Sequence, residues 1–277
     1  MLIFVLLHLN NMNYQNFLKE IVYRFDQTGN QNDAHEFLVF LLDNLNLEMI
    51  KIESKYKDLF NNKNNLLSNN NNDEGEWEEV KKGGKRMKQI NSIEHFEISE
   101  LGKIFQGIIK QDISEKGKSI SNCQIEPFFI LGLNVESKTL NGMLDIFFSR
   151  KKIEDSEKYT QTFIEKLPNI LIIRVKGFYY DKKIFQIIKI RDPLIFDEVL
   201  DIKKSYFSPF LQNENFKYEL IGLIVHKGNQ ANEGHYICYC KDNETKNWYY
   251  LDDSKVISVG NETIHNLRPY VMFFRKI

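Results

Sequence analysis

The sequence predicts an α+β fold, on three observations. Apolar side chains recur at helical spacing early in the chain. Runs rich in β-branched and aromatic residues follow beyond about Gly107. The two kinds of segment are segregated rather than alternating, which favours an antiparallel sheet with helices to one side over a parallel βαβ arrangement. The length, 277 residues, suits one large domain or two small ones, and 42% hydrophobic and 27% charged residues are ordinary for a soluble globular protein.

The elements follow in order. Tyr14, Phe17, Leu18, Ile21, Val22 and Phe25 fall on one face of a predicted helix. "QTGNQND" breaks it, with Gly29 and two Asn as turn formers. In "QNDAHEFLVFLLDNL", from Gln31 to Leu45, the same spacing recurs at Ala34, Phe37, Leu38, Leu41, Leu42 and Leu45. Asp33 stands at its start with Glu36 three residues on, a variant of the capping box. Residues 61–90 are Asn-rich, then acidic, then basic, and predict a disordered insertion that Trp77 could dock locally. The strand-like runs are "PFFILGLNV", "LPNILIIRV", "KIFQIIKI", "YELIGLIVH", "HYICYC", "NWYYLD" and "YVMFF", with "GMLDIFFS" a short helix among them. Pro127, Pro168, Pro193, Pro209 and Pro269 punctuate the series, and no internal repeat is visible.

Several function classes are excluded. A net charge of −1 gives no case for nucleic acid or a membrane surface as partner. The opening "MLIFVLLHLN" lacks the basic lead and cleavage site of a signal peptide, and no run is long enough to span a bilayer. Cys123, Cys238 and Cys240 are too few for a disulfide framework, so a reducing, intracellular compartment is expected. "KKGGKR" is too short to mark a nuclear address, which leaves cytoplasm and nucleus both open.

The stretch richest in chemistry is "GNQANEGHYICYCKDNETKNWYYLDDSKVISV". Two strands flank "KDNETK", a connection of hairpin length. Pairing Lys241 with Asn247 sets His235 opposite Asp253; a one-residue change of register sets it opposite Asp252. Either way an imidazole meets a carboxylate across about 5 Å, the base-and-orienter half of a nucleophilic triad. Gly228 and Gly234 bracket the loop before His235, as suits a backbone that lets substrate pass. Strand alternation puts Tyr236, Cys238 and Cys240 on the face opposite His235, so neither thiol can serve that base, and both are expected as small buried hydrophobes. The same alternation argues against zinc held by His235, Cys238 and Cys240. Cys123 has no basic neighbour in sequence to activate it.

These residues resemble a known family. "QNDAHEFLVFLLDNL" is similar to the Gln-rich box of the ubiquitin-specific proteases, and the stretch from "YELIGLIVHKG" to "LDDSKVISV" to their His box. "LPNILIIRVKGF", "PFFILGLNV" and "PLIFDEVLDI" resemble the family's connecting strands, in family order. The resemblance implies a papain-like cysteine peptidase fold over residues 1–277, with N-terminal helices followed by an antiparallel palm and fingers sheet, and hydrolysis at the C-terminal glycine of ubiquitin. It implies His235 as general base, Asp252 as its orienter with Asp253 in reserve, and Gln31, Asp33, Gly234 and Tyr236 against the ubiquitin tail. Ubiquitin or ubiquitinated proteins are the implied partners, and no cofactor is implied.

Three departures stand beside the likeness. The family's nucleophile lies in a G-N-T-C-Y box upstream of the Gln-rich box. Here no Cys precedes Gln31, so the N-terminal part of the thumb is expected to be missing. Many members hold zinc with two C-x-x-C pairs in the fingers, where this chain offers Cys123 alone, so no metal is expected. Lys176, Gly177 and Phe178 replace K-R-F. Two readings follow: a deubiquitinase whose thiolate lies outside this sequence, or a catalytically inactive ubiquitin-binding or scaffold module.

Overall fold

The computed structural model describes residues 32–67, 98–115, 120–183, 185–209, 211, 216–228 and 233–277. The expectations for Tyr14 to Phe25, for Gln31 and for Trp77 lie outside them. Among the described residues two helices come first: α1 (Ala34–Leu67) and α2 (Glu100–Phe105). Then come β1 (Gly107–Glu115), β2 (Ile120–Phe128), β3 (Ile130–Asn134), α3 (Leu140–Phe148), β4 (Lys151–Lys152), β5 (Lys158–Lys166) and β6 (Ile170–Lys176). The remainder is β7 (Phe178–Asp181), β8 (Gln186–Lys189), β9 (Val199–Ile202), β10 (Phe216–Lys227), β11 (His235–Lys241), β12 (Trp248–Asp252), β13 (Lys255–Val259), α4 (Asn261–His265) and β14 (Val271–Lys276). Helix α1 runs on through residues 61–67 of the expected insertion; residues 68–90 lie outside the described residues.

The described strands form three sheets. The largest has eight, in the order β13-β12-β11-β10-β14-β6-β3, with β9 also paired to β10. Four form a second sheet, β2-β1-β5-β4, and β7 and β8 make a separate hairpin. The main sheet is not wholly antiparallel as expected: β3 runs parallel to β6, with Ile130 beside Ile172 and Asn134 beside Lys176. That pair is joined by a crossover that contains α3, the kind of long connection parallel strands need.

Both faces of the sheet centre are buried, which explains the unbroken apolar run in β6. Ile170 and Ile172 pack with Val271 and with Leu42 of α1, while Leu171, Ile173 and Val175 pack with Met272, Phe274 and, from α3, Met143 and Leu144. So α1 covers one face and α3 the other. Burying Leu42, which is fully enclosed, contributes about 1.5–3 kcal/mol. The helix ends are capped by short polar side chains. Asp33 Oδ1 accepts from the His35 amide (2.7 Å), Thr139 Oγ1 from Gly142 (3.0 Å) and Ser99 Oγ from Gly102 (3.0 Å). The Ser99 hydroxyl donates in turn to Asn46 Oδ1 (2.6 Å), which ties α2 to α1.

Candidate active site

The β11–β12 hairpin builds the centre of the site. Its loop is organised by Asp242: Oδ1 accepts from the Glu244 amide (3.0 Å), the Thr245 amide (2.6 Å) and the Thr245 hydroxyl (2.8 Å). Lys246 takes a positive φ of 59°, and the last ladder pair is Lys241 with Trp248. Neither register expected from sequence holds: Asn247 belongs to the loop, and the ladder carried outward sets His235 opposite Ser254, one residue past Asp253 and two past Asp252. The ladder pairs Cys238 with Leu251 and Tyr239 with Tyr250. Carried outward, it makes His235 and Asp252 diagonal rather than direct neighbours, on one face.

His235 Nε2 lies 2.5 Å from Asp252 Oδ1. The other carboxylate oxygen, Oδ2, accepts from the Tyr250 hydroxyl, which itself accepts from Lys227 Nζ at 2.9 Å. The Lys227 ammonium thus donates to the phenol and the phenol to the Asp252 carboxylate, whose other oxygen accepts from the imidazole. The Tyr250 bond, then the His235 bond, hold the Asp252 carboxyl below the usual carboxylate range. Asp253 occupies the tight turn into β13 with φ 51° and is exposed. One donor atom from each of His235, Asp252 and Asp253 falls within 4.8 Å of the others, the one such cluster among the described residues. A cation there would have to displace the bonds that already occupy Asp252.

A second group of side chains gathers around Asp33 and Tyr236. The Tyr270 hydroxyl donates to both oxygens of Asp33 (2.7 and 2.6 Å), and Arg174 Nη2 stands 3.6 Å from Oδ2. Asp33 therefore caps α1 and anchors it to the sheet with the same carboxylate. Tyr236 packs between Tyr270 (centroids 5.8 Å) and His226 (4.8 Å). His226 is buried, and Lys189 Nζ meets its Nδ1 at 3.1 Å while also donating to the carbonyls of His226 and Gly228, both at 2.8 Å. Burial, then the Lys189 charge, lowers the His226 pKa and keeps the ring neutral. Gly234 sits against this ring: a Cβ there would lie 2.5 Å from His226 Nε2 and 2.1 Å from the Lys227 carbonyl. A cavity of about 290 Å³ opens beside the group, lined by Phe178, Lys189, His226, Gly228 and Tyr270 among others.

The expected residues are thus sorted. His235 with Asp252, and Asp33 with Tyr236 and Gly234, fall into adjoining groups; Gln31 lies outside the described residues. Tyr250, Lys227, Tyr270, His226 and Lys189 were missed. Tyr250 was findable, because two residues along a strand share a face and it stands two before Asp252. The others come from distant segments. The cysteines need one correction: Cys240 is exposed and Cys238 only half-buried, so they are not core hydrophobes. The inward face of β11 belongs to Ile237 and Tyr239 instead. Both thiols do leave the strand opposite His235. Burial and the Asp112 carboxylate push up the Cys123 thiol, in the other sheet.

Comparisons with known proteins agree with one another. The sequence model of the family described as ubiquitin carboxyl-terminal hydrolase matches residues 8–274. Ubiquitin carboxyl-terminal hydrolase 24 of Arabidopsis thaliana is 28% identical over 279 residues, 95% of this chain and 49% of that protein. Ubiquitin hydrolase B of Dictyostelium discoideum is 28% identical, over 91% of this chain and 57% of its own length. Among solved structures, the SAGA Ubp8/Sgf11/Sus1/Sgf73 DUB module bound to ubiquitin aldehyde superposes with a TM-score of 0.64 at 25% identity, covering 96% of this chain and 56% of that one. The chain spans about half the length of these relatives. No described helix is long and apolar enough to cross a membrane.

Proposed function

The chain belongs to the ubiquitin carboxyl-terminal hydrolase family, and on that premise we propose that it carries the base and the ubiquitin-tail groove of a thiol-dependent deubiquitinase. In that reaction a thiolate attacks the carbonyl carbon of ubiquitin's terminal glycine. The amine leaves with a proton from an imidazolium, and water then hydrolyses the thioester with the same ring as base. His235 is that ring. Its Nε2 is engaged by Asp252, so Nδ1 takes and returns the proton. Asp252, held ionised, fixes the tautomer and stabilises the imidazolium form. The 2.5 Å contact between the two is the observation that carries the reading. Asp253 is the reserve carboxylate.

The ubiquitin tail is basic and ends in Gly-Gly. Asp33 offers it a carboxylate, Tyr236 and Tyr270 an aromatic wall, and Gly234 a backbone that can come close; Gln31 completes the set by the family likeness. The nucleophile is none of Cys123, Cys238 or Cys240, because two of these leave β11 away from His235 and the third stands on β2. It is a thiolate that this sequence does not contain. The second reading, a ubiquitin-binding module without catalysis, is favoured by the groove itself, whose aromatic and acidic groups need no thiolate. Calorimetry with ubiquitin, and a ubiquitin probe carrying a thiol trap at its C-terminus, separate the two from the alternatives. Both readings expect binding and no adduct on the isolated chain. An adduct on any of the three cysteines would overturn the assignment of the nucleophile. Absence of ubiquitin binding would overturn both readings.

A further inference from the structure

Cys238 and Cys240 belong to neither group described above. They stand two residues apart on one face of β11 with their sulfurs 3.4 Å from each other. Cys240 is exposed, and its partner across the ladder on β10 is Gly222, which brings no side chain over the thiol. The hydrogen bond between the two thiols lowers the pKa of Cys240 and raises that of Cys238. The lowered pKa favours the thiolate of Cys240, the form that reacts with electrophiles. The 3.4 Å separation lies within the range in which a bond between two reacting atoms can form. Cys123 shares none of this: its thiol is pushed up, and no second sulfur accompanies it.

We propose that Cys238 and Cys240 form a peroxide-reactive dithiol, in which Cys240 is oxidised first and Cys238 resolves it to a reversible disulfide. The Cys240 thiolate attacks one oxygen of a hydroperoxide. The S–O bond forms, the O–O bond breaks, and the alkoxide or hydroxide leaves with a proton from water, giving a sulfenic acid. The Cys238 sulfur then attacks the Cys240 sulfur. The S–S bond forms, the S–O bond breaks, and hydroxide departs with the Cys238 proton as water. The two sulfurs together lose two electrons and the peroxide gains two. Two residues of strand span roughly 6.6 Å, the upper end of what a disulfide bridges, so closure draws β11 in. Its ladder partner beside Cys238 is Leu251, next to Asp252, so the change is felt at the His235–Asp252 contact. The inference does not rest on the peptidase reading.

The test treats the folded chain with hydrogen peroxide, blocks remaining thiols with iodoacetamide and digests with trypsin. Both cysteines fall in the one peptide from Gly228 to Lys241. The expected product is that peptide, unalkylated and lighter by two hydrogens, restored by dithiothreitol. Cys238→Ser is expected to stop at a sulfenic acid on Cys240 that dimedone traps. Cys240→Ser is expected to leave Cys238 alkylated at the same dose. Cys123 is expected to be lost at least about tenfold more slowly. Loss of Cys123 as fast as Cys240, disulfide formation at an equal rate in urea, or unchanged oxidation in Cys240→Ser would each overturn the proposal.

Discussion

Asp252 has no unoccupied oxygen: His235 takes one and Tyr250 the other. Its depressed pKa has a direct consequence for pH dependence. The bonds are fully present above the ordinary carboxylate range and are lost as pH falls through the lower, folded value. Tyr250→Phe removes the largest cause of that depression. The Asp252 titration midpoint is then expected to move back up toward an ordinary aspartate, read by carboxyl-carbon NMR; an unmoved midpoint would remove Tyr250 from the site. Asp33 makes a second residue-scale case, since it caps a helix and receives Tyr270 at once. Asp33→Ala is expected to cost about 1 kcal/mol of stability as a lost cap and to weaken ubiquitin binding by about 1–3 kcal/mol. Tyr270→Phe keeps the cap and loses only the clasp. If it spares ubiquitin binding while Asp33→Ala does not, the carboxylate itself meets the tail.

At the scale of elements, most of the strands that were legible have an apolar face on the core, β8 being an exception. β6, β10 and β14 read plainly because their residues are buried on one or both sides. β5, "KYTQTFIEK", did not, because it mixes Lys, Thr, Gln and Glu and buries only Ile164 fully. β13 is exposed along nearly its whole length and shows no core face to read. Within the site, the meeting of His235 and Asp252 was legible from the hairpin, but the register was not. Asp242 gathers three donors, and that turn chemistry moves Asn247 out of the ladder. The Asp33–Tyr270 bond was beyond reach, since its partners are 237 positions apart. Two substitutions test these elements. Trp248, fully buried where β12 begins, is expected to cost about 3–5 kcal/mol on replacement by Ala in urea unfolding. Gly234→Ala would press a methyl group into the Lys227 carbonyl and the His226 ring. It is expected to displace the loop before His235, seen as shifts of the His226 and His235 ring signals.

At the scale of the molecule, α1 and α3 clamp a sheet whose centre is buried on both sides, while the site lies toward the β11–β13 edge. A ligand bound by the folded chain alone raises its stability by mass action. Ubiquitin at a hundred times its dissociation constant is expected to add about 2.7 kcal/mol, visible as a rise in thermal midpoint that Asp33→Ala reduces. The order of strands carries one more consequence. β14 is not an edge strand: it lies between β10 and β6 and pairs with both. On the ribosome, neither neighbour can find its place until Val271 to Lys276 have emerged. Synthesis at about 5–20 residues per second leaves the oily flank of the leading helix waiting on the order of tens of seconds for its seat. A chain halted before Val271 therefore lacks the strand that β10 and β6 share, and is expected to be a client for holdase chaperones rather than a smaller version of the finished protein.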